Sequence, residues 1–286
     1  MTRTSFNDSI KKYKRQYTQL ISAVLYNCNF KGFLTGRIYK GASKGVCVPG
    51  LNCYSCPGAV FSCPLGSLQG ALLNSAYKLP LYVIGTLLLF GILLGRMICG
   101  FLCPFGFIQD LLYKIPVKKI KKNRFTRVLS YLKYVVLIIF VVLIPVVKLM
   151  PGFCKYICPA GTLEAGIPLV AMDDKLQSRV GWLFSWKVFV LCVVILFCML
   201  CYRSFCRFLC PLGAIYSFFN PVAFFGIMVD KNKCNGCNAC IRNCKMDIKK
   251  VGGRECIHCG ECVNVCPEGA IYYRKCGKKA ISAGEK

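Results

Sequence analysis

Residues 95–108 read GRMICGFLCPFGFI, and residues 202–215 read YRSFCRFLCPLGAI. Each stretch ends a long apolar run and carries two cysteines four residues apart, with a proline directly after the second cysteine. Side chains four residues apart lie on one face of a helix, and the proline prevents regular continuation of that helix. The repeat, Cys-x-x-x-Cys-Pro, therefore predicts two helices that each present a pair of thiols at one end.

The composition indicates a membrane protein that binds iron–sulfur clusters. Of the 286 residues, 56% are hydrophobic, and the chain contains 23 cysteines but a single histidine. Such a high apolar fraction in a chain of this length is typical of several membrane spans. Cysteines grouped in C-x-x-C spacings within such a chain favour metal–sulfur ligation over a disulfide framework.

Three apolar runs are long enough to cross, or nearly cross, a membrane. They cover residues 81–98, 131–147 and 186–202. At about 1.5 Å per residue, each run approaches the roughly 30 Å of the apolar layer. Residues 114–127 contain seven basic residues and no acidic residue, which predicts a cytoplasmic loop. Both cysteine repeats are then cytoplasmic, whereas residues 148–185 and the residues before 80 are external.

Two segments near the amino end are less apolar. Residues 16–36 include two asparagines and a lysine, and they are predicted to form a weak fourth span or an amphipathic helix at the membrane interface. Residues 58–75 are predicted to be either re-entrant or spanning. A cleaved signal peptide is not expected, because the apolar core is short and no A-x-A site follows it. The fold expected for residues 1–228 is an all-α helical membrane domain of about four spans.

The carboxyl-terminal part of the chain contains the spacing C-x2-C-x2-C-x3-C twice. The first copy reads CNGCNACIRNC from residue 234, and the second reads CIHCGECVNVCP from residue 256. In two-cluster ferredoxins with this spacing, each half supplies three thiolates to one [4Fe–4S] cluster and one thiolate to the other. The predicted ligands are Cys234, Cys237, Cys240 and Cys266 for one cluster, and Cys256, Cys259, Cys262 and Cys244 for the other.

These motifs predict an α+β ferredoxin domain with two [4Fe–4S] clusters over residues 229–275, on the cytoplasmic side of the membrane. A tail over residues 276–286 follows it, in which Cys276 is expected to be an ordinary surface thiol. A zinc ribbon is the alternative, but zinc sites rarely need eight cysteines at this repeat.

The two Cys-x-x-x-Cys-Pro repeats suggest a third cluster. One pair of thiols cannot complete a four-thiolate site, but two pairs from neighbouring helices can. The predicted ligands are Cys99, Cys103, Cys206 and Cys210. Arg96 and Arg203, each three residues before the first cysteine of its repeat, and Arg207 are expected to offset the cluster's charge and to donate hydrogen bonds to sulfur. The alternative is that these cysteines are small buried hydrophobic residues.

A third Cys-x-x-x-Cys-Pro repeat, with Cys154 and Cys158, falls in the predicted external part of the chain. Four further cysteines lie there as well: Cys47, Cys53, Cys56 and Cys63. By analogy with the inner pairs, a fourth cluster is expected on Cys53, Cys56, Cys154 and Cys158. Disulfides are the alternative, because an outer face is oxidising. The remaining cysteines are expected to serve in packing, namely Cys28, Cys192, Cys198 and Cys201.

Several activities lack the residues they would need. The single histidine, His258, lies between two ferredoxin cysteines and is expected to face solvent, so a membrane haem with two histidine ligands is excluded. The three apolar runs contain no Asp or Glu for a carboxylate proton relay. No G-x-G-x-x-G or Walker motif occurs. The basic excess is explained by membrane topology, so no nucleic-acid partner is expected.

The stretches CGFLCPFG, CRFLCPLG and VCVPGLNCYSCPGA, together with the tandem ferredoxin motif, resemble the membrane polyferredoxin family. This family includes the NapH-type quinol dehydrogenase subunit and NosR-type proteins, and the resemblance covers residues 17–275. It implies a multi-pass protein of a prokaryotic cytoplasmic membrane that passes electrons through [4Fe–4S] clusters between a cytoplasmic or quinol donor and an external acceptor. Membrane lipid, redox partner proteins and a quinone are the partners it implies. The additional pair Cys154 and Cys158 departs from the family pattern.

The expected role is therefore that of an electron-transfer subunit, with quinol dehydrogenase activity as one form of it, rather than a stand-alone enzyme. A redox sensor or a maturation factor for a partner oxidoreductase is the alternative. The inner and outer sites are expected to lie about 30 Å apart, one membrane span. A quinone or a partner's cofactor would then have to connect them.

Overall fold

The computed structural model describes residues 3–74, 80–120 and 122–274, and it is mostly helical. Cys276 and the predicted tail over residues 276–286 lie outside the described residues. The α-helices of the described residues are Arg3–Tyr26, Phe30–Thr35, Pro64–Asn74, Leu81–Leu94, Met97–Phe101, Pro104–Leu112, Arg124–Leu129, Leu132–Val136, Ile144–Lys148, Gly152–Tyr156, Ile167–Met172, Asp174–Gln177, Trp182–Leu200, Ser204–Phe208, Pro211–Phe219, Ala239–Arg242 and Glu261–Val265.

Two helices of the described chain are long and apolar enough to cross a membrane, Arg124–Lys148 and Trp182–Leu200. They contain most of the second and third predicted spans. Only 22% and 17% of their apolar windows are buried within the chain, so each exposes a broad apolar surface. The core helix of a soluble protein would bury that surface instead.

The helix in the first predicted span is shorter than the apolar run over residues 81–98. Its helix, Leu81–Leu94, has 14 residues and ends at Gly95, whose φ is 51°. Glycine adopts this left-handed conformation without steric cost, and it commonly terminates helices. A Cβ on Gly95 would also lie 2.7 Å from Oδ1 of Asn220. The chain therefore turns before Arg96, and Cys99 lies on a separate short helix, Met97–Phe101.

The segment over residues 16–36 is not one continuous helix. The first helix ends at Tyr26, and Phe30–Thr35 forms a second one. Both asparagines between them have tertiary partners: Asn27 donates to Asn52 Oδ1 at 2.9 Å, and Asn29 donates to the Pro57 carbonyl at 2.9 Å. These contacts attach the break to the cysteine-rich segment that follows.

Two π-helices each lead directly into a proline-containing turn. Leu137–Leu143 precedes Ile144–Lys148, which contains Pro145, and Gly161–Gly166 precedes Ile167–Met172, which contains Pro168. Proline lacks an N–H group, and its ring clashes with the carbonyl four residues earlier, so a wider turn accommodates it. The second π-helix carries Glu164 into the cysteine-rich region.

The carboxyl-terminal part of the described chain is a small α+β unit. Strands Gly226–Val229 (β1) and Ile271–Arg274 (β2) pair in antiparallel register, with Ile227 opposite Tyr273. The short helices Ala239–Arg242 and Glu261–Val265 each lie within one of the two cysteine motifs, between its second and fourth cysteines. The strand that opens this unit begins at Gly226, and the domain boundary at residue 229 stays a prediction.

The α+β unit is attached to the helical part by buried polar contacts. Asn220 donates through Nδ2 to the carbonyls of Gly253 (2.7 Å) and Cys256 (2.9 Å). Its Oδ1 accepts from the Arg96 backbone N–H at 2.7 Å and lies 3.0 Å from Nε2 of His258. His258 is 2% exposed, so the expectation that it faces solvent is wrong. Its Nδ1 accepts from the Ile227 backbone N–H, and the ring therefore secures β1 to the second cysteine loop.

Candidate iron–sulfur sites

The first two Cys-x-x-x-Cys-Pro repeats face each other through reciprocal hydrogen bonds. Arg96 Nη2 donates to the carbonyl of Cys206 at 3.1 Å, and Arg203 Nη1 donates to the carbonyl of Cys99. Both arginines are fully buried. Each was expected to bond to sulfur, but each instead bonds to the backbone of the first cysteine in the other repeat. The ends of two helices that are distant in sequence therefore meet.

A glycine on each side allows this close approach. A Cβ on Gly106 would lie 2.9 Å from the Cys99 carbonyl oxygen, and a Cβ on Gly213 would lie 3.1 Å from that of Cys206. The glycine amides also bond to the second thiol of each repeat: Gly213 N–H donates to Cys210 Sγ at 3.4 Å, and the Gly106 amide bonds to the Cys103 thiol. The two halves thus have the same local structure around their thiols.

The four thiols of these repeats are buried beside one another. They are Cys99, Cys103, Cys206 and Cys210, each 3–5% exposed. Burial raises the pKa of Cys103 to about 12, and the neighbouring Cys99 acts in the same direction. Burial, with Cys103 and Cys99, likewise raises the pKa of Cys206. Thiols in such a setting give up their protons when a metal coordinates them, so this group fits the thiolate ligands of a cluster.

The arginines have different acidic partners. Arg203 makes a bidentate pair with Asp110, at 2.7 Å from Nε and 2.6 Å from Nη2. Burial alone would raise the pKa of Asp110, but Arg203 and Arg15 outweigh it and hold that pKa below its ordinary value. Arg96 pairs instead with Glu255 of the α+β unit at 2.6 Å, and Lys133 pairs with the same carboxylate at 2.5 Å. The ferredoxin-like unit therefore supplies the acidic partner of Arg96 beside the inner group, which is the set Cys99, Cys103, Cys206 and Cys210.

Gln109 is a site residue that the sequence reasoning missed. Its Nε2 donates to Cys206 Sγ at 3.0 Å, and its Oε1 accepts from the Cys206 backbone N–H at 3.3 Å. Cys198 Sγ lies 3.6 Å from the same Oε1, so this cysteine has a polar neighbour as well as a packing role. The adjacent polar residues Gln109 and Asp110, on a short helix that is otherwise apolar, were a sequence signal for this site.

The two cysteine loops of the α+β unit have the same backbone shape. Gly236 and His258, at equivalent positions, have φ of 74° and 53°, and the equivalent Asn238 and Gly260 have φ of 56° and 84°. Repeated left-handed residues bend each loop tightly, which directs its cysteines toward one region. This arrangement suits three thiolates from one loop binding one cluster.

Within this unit, Cys244 of the first motif lies beside three cysteines of the second motif. Burial raises the pKa of Cys262 to about 12, and Cys256, Cys259 and Cys244 add to the effect. These four cysteines line one small cavity. In the other group, Cys240 faces Cys234 and Cys237, both of which are exposed. Cys266 is partly buried.

A third group of thiols, called here the outer group, lines a separate cavity of about 310 Å³. The cysteines around it are Cys53, Cys63, Cys154 and Cys158. A Cβ on Gly161 would lie 3.7 Å from Sγ of both Cys53 and Cys158, which places these two sulfurs on either side of Gly161. Gln69 Nε2 donates to Cys154 Sγ at 3.3 Å. Cys56 is not among the lining residues.

Glu164 is a further residue of this outer group that the sequence reasoning missed. It lies on the π-helix Gly161–Gly166, and its Oε2 accepts from the Cys53 backbone N–H at 2.8 Å. Burial raises the pKa of this carboxyl to about 7, although the hydrogen bond from Cys53 opposes the shift. The outer group therefore includes an acid, where the inner group has arginines.

The inner and outer groups are closer than the 30 Å expected. Lys187 lines the outer cavity, and Cys198, on the same helix, touches Gln109 of the inner group. Eleven residues of α-helix correspond to about 16 Å along the axis. The cysteine-rich segment bridges the two groups: a Cβ on Gly50 would lie 3.1 Å from Cys103 Cα, and Cys53 lines the outer cavity three residues later. The expected separation is wrong because this segment folds inward between the helices.

Across the described residues, no three side chains of His, Cys, Asp or Glu converge closely enough to hold one metal ion. A cubane cluster makes a different demand, because each of its four thiolates binds a separate iron.

Comparison with known protein families agrees with this chemistry. The 4Fe-4S binding domain family Fer4_5 matches residues 76–123, 133–167 and 182–227, and each of the three segments contains one Cys-x-x-x-Cys-Pro repeat. The 4Fe-4S binding domain family Fer4 matches residues 254–272, which contain the second ferredoxin motif. Together with the thiol groups described above, these matches define the protein as one that binds [4Fe–4S] clusters and transfers electrons.

Several curated proteins are similar over much of their length. The uncharacterized protein MJ0750 of Methanocaldococcus jannaschii is 32% identical over 74% of this chain and 84% of its own length. The uncharacterized protein MJ0749 of the same organism is 32% identical over 63% of this chain and 64% of its own length. The ferredoxin-type protein NapH of Escherichia coli is 25% identical over 60% of each chain. The chain belongs to the NapH/NosR-type iron–sulfur family, as its motifs indicated. No solved structure matches it.

Proposed function

We propose that this protein carries electrons at a cytoplasmic membrane, through two clusters of a cytoplasmic ferredoxin domain and a third cluster at the inner ends of its helices. [4Fe–4S] clusters exchange single electrons at potentials that their surroundings adjust. The observation that supports the third cluster best is the reciprocal pair of hydrogen bonds from Arg96 and Arg203. These bonds hold the four inner thiols in one buried group.

The ligands we propose for the ferredoxin domain are the eight cysteines that its spacing indicates: Cys234, Cys237, Cys240 and Cys266 for one cluster, and Cys256, Cys259, Cys262 and Cys244 for the other. The inner site would use Cys99, Cys103, Cys206 and Cys210. Within this set, Arg96, Arg203 and Gln109 position the cysteine backbone and sulfur atoms, and they exclude water from the inner group.

Contacts between the second ferredoxin loop and the inner site support electron exchange between them. Ile257, which follows Cys256, packs against Gly100, which follows Cys99, so closely that no Cβ would fit on this glycine. Glu255 bridges Arg96 and Lys133 on the adjoining side. A close backbone contact of this kind keeps the second ferredoxin loop next to Cys99, and electron exchange between two centres requires such proximity.

Membrane integration is supported by the two exposed apolar helices and by the basic loop between the first two apolar runs. We propose a multi-pass topology in which this loop, the inner site and the ferredoxin domain are cytoplasmic, and the 310 Å³ cavity faces outward. Redox partner proteins, membrane lipid and a quinol or cytoplasmic donor are the partners that this topology suggests.

The test of the inner site is iron and sulfide quantification on the full-length protein, purified anaerobically, together with EPR. The ferredoxin domain and the inner site together require about twelve irons. The double variant Cys99→Ser/Cys206→Ser should lose about four of them and one EPR signal, and it should keep the ferredoxin signals. The variant Cys192→Ser, an exposed cysteine on the helix Trp182–Leu200, is the matched control. Unchanged iron in the double variant would refute the inner site.

Turnover distinguishes electron transfer from sensing. The protein is reconstituted in vesicles that enclose an electron acceptor, and a reductant is supplied outside. An electron carrier should reduce many equivalents of acceptor per protein, whereas a sensor would stop after its own clusters are reduced. Omission of quinone from the vesicles shows whether the protein needs it.

A further inference from the structure

We propose that the outer cavity is a fourth [4Fe–4S] site and that its ligands are Cys53, Cys63, Cys154 and Cys158. Cys63 thereby takes the place that spacing alone assigns to Cys56. The inference deepens the proposed electron-transfer function, since it adds a centre at the outer end of the helical part.

Cys63 belongs to a four-residue motif, Cys-Pro-x-Gly, that occurs four times in the helical part of the chain. These copies are residues 63–66, 103–106, 158–161 and 210–213, and a helix begins at the proline of each. The same four residue types recur at 266–269 in the ferredoxin motif, where no helix begins at the proline. Two of the copies contribute thiols to the inner site, and a third contributes Cys158 to the outer cavity. The fourth copy places Cys63 in the same local structure.

The glycine amide of each copy points at the cysteine sulfur. Gly161 donates to Cys158 Sγ and Gly213 donates to Cys210 Sγ, both at 3.4 Å. The Gly66 amide bonds to the Cys63 thiol in the same way, and the amides of Leu65 and Asn52 bond to it too. Three amide donors around one sulfur stabilise its thiolate form, which is the form that binds iron.

Cys56 has different surroundings. The sequence after it is Pro57-Gly58-Ala59, and no helix begins there. Amides of Gly58 and Ala59 bond to its thiol, and the nearby charged groups are Glu164 and Lys44. Because Cys56 does not line the cavity and Cys63 does, the geometry points to Cys63 as the fourth ligand.

The cavity offers other features that a cluster requires. Lys155 and Lys187 line it, and their charges would offset the net negative charge of a cluster with four thiolates. Gln69 is fully buried: its Nε2 contacts Cys154 Sγ, while its Oε1 accepts from the Phe153 backbone N–H at 3.1 Å. This side chain corresponds in role to Gln109 of the inner site. The outer cavity therefore has the charged and hydrogen-bonding side chains of a binding site, which a defect in packing would lack.

The experiment compares Cys63→Ser with Cys56→Ser in the full-length protein, purified anaerobically, by iron and sulfide content and by EPR. The unsubstituted protein should contain about sixteen irons. Cys63→Ser should lose about four irons and one EPR signal, whereas Cys56→Ser should retain both. Cys154→Ala, a second member of the proposed set, should lose the same signal as Cys63→Ser.

Two results would overturn the proposal. The first is an iron content of about twelve in the unsubstituted protein together with loss of about four irons in Cys99→Ser/Cys206→Ser, since the twelve irons then belong to the ferredoxin and inner clusters. The second is loss of iron in Cys56→Ser that equals or exceeds the loss in Cys63→Ser. The inner site is judged separately by Cys99→Ser/Cys206→Ser, so a failure of the outer site leaves the proposed function standing.

Discussion

The inner and outer thiol groups each bring four cysteines together, but different side chains surround the thiols. Each has four buried or partly buried cysteines and one buried glutamine that donates to a sulfur: Gln109 to Cys206 at 3.0 Å, and Gln69 to Cys154 at 3.3 Å. The inner group adds Arg96 and Arg203, which are fully buried and paired. The outer group has a partly buried glutamate, Glu164, and lysines in its lining instead.

This difference indicates how each group is held together. In the inner group, ionic pairs connect two helix ends that are far apart in sequence, and one of these pairs reaches into the ferredoxin-like unit. In the outer group, backbone amides and a folded segment bring the thiols together. We therefore expect charge-removing substitutions to damage the inner group most, and substitutions at the interface between units to affect it next.

The largest effect is expected for Arg203→Ala. The substitution leaves Asp110, which is 5% exposed, without its bidentate partner and removes the donor to the Cys99 carbonyl. Removal of one member of a buried ion pair typically costs about 3–5 kcal/mol. Arg15, at 3.2 Å from Asp110, still compensates part of the charge that remains. Thermal unfolding in detergent should show a large decrease in stability, and iron analysis should show loss of the inner cluster before the outer one.

A double variant identifies the cause of that loss. In Arg203→Met/Asp110→Leu both members of the bidentate pair are removed, and Arg15, which also pairs with Asp110 at 3.2 Å, keeps its hydrogen bond to Tyr202, so part of the stability should return. Arg179→Ala, at an exposed arginine in the turn before the helix Trp182–Leu200, should have no comparable effect. If Arg203→Ala were as stable as the unsubstituted protein, ion pairs would not hold the inner group together. The inner group would then not differ from the outer group, which backbone amides hold together.

These groups also show which features a sequence reveals. The inner cysteines are four residues apart in sequence and occur in two matching copies, so the spacing predicted two pairs. It did not predict that Cys103 and Cys210 have an extended backbone between two short helices. Cys53 and Cys63 are ten residues apart in an irregular segment, and their approach depends on how that segment folds between helices. Helical spacing carries no information about such a fold, although the recurring Cys-Pro-x-Gly motif was available as a local signal.

In the fold, too, some features follow from the local sequence and others depend on tertiary contacts. Long apolar runs predicted the helices Arg124–Lys148 and Trp182–Leu200, because length and composition are sufficient there. The end of the first run at Gly95 depends on a close approach to Asn220, a residue more than a hundred positions away. The burial of His258 likewise depends on Asn220 and on the backbone of Ile227. Tertiary partners of this kind are not visible in the sequence around either residue.

An intermediate effect is expected for Glu255→Gln, which tests whether the inner group depends on the ferredoxin-like unit. The substitution removes the charge shared by Arg96 and Lys133, both fully buried. Hydrogen bonds to charged groups contribute about 1.5–3 kcal/mol, so the attachment between the units should weaken by an amount of that order. Limited proteolysis should release the carboxyl-terminal unit faster than from the unsubstituted protein.

Glu261→Gln is the matched control, because Glu261 lies in the same unit and pairs with Lys245 at 3.0 Å on the surface. Exposed pairs contribute about 0–1 kcal/mol, so this variant should resist the protease as the unsubstituted protein does. Equal release from both variants would mean that the ionic bridge does not attach the unit. The outer EPR signal should be unaffected in either variant.

The smallest effect, and the most selective, is expected when the two glutamines are exchanged for leucine one at a time. Gln109→Leu removes a hydrogen bond to Cys206 Sγ, and Gln69→Leu removes one to Cys154 Sγ. Donors to sulfur stabilise the reduced, more negative form of a cluster, so their loss should lower its reduction potential. A hydrogen bond of about 0.5–1.5 kcal/mol corresponds to roughly 20–60 mV for one electron.

In potentiometric EPR, Gln109→Leu should shift only the inner signal and Gln69→Leu only the outer signal. A shift of the same signal by both variants would mean that the two thiol groups do not hold separate clusters, and the comparison between them would fail.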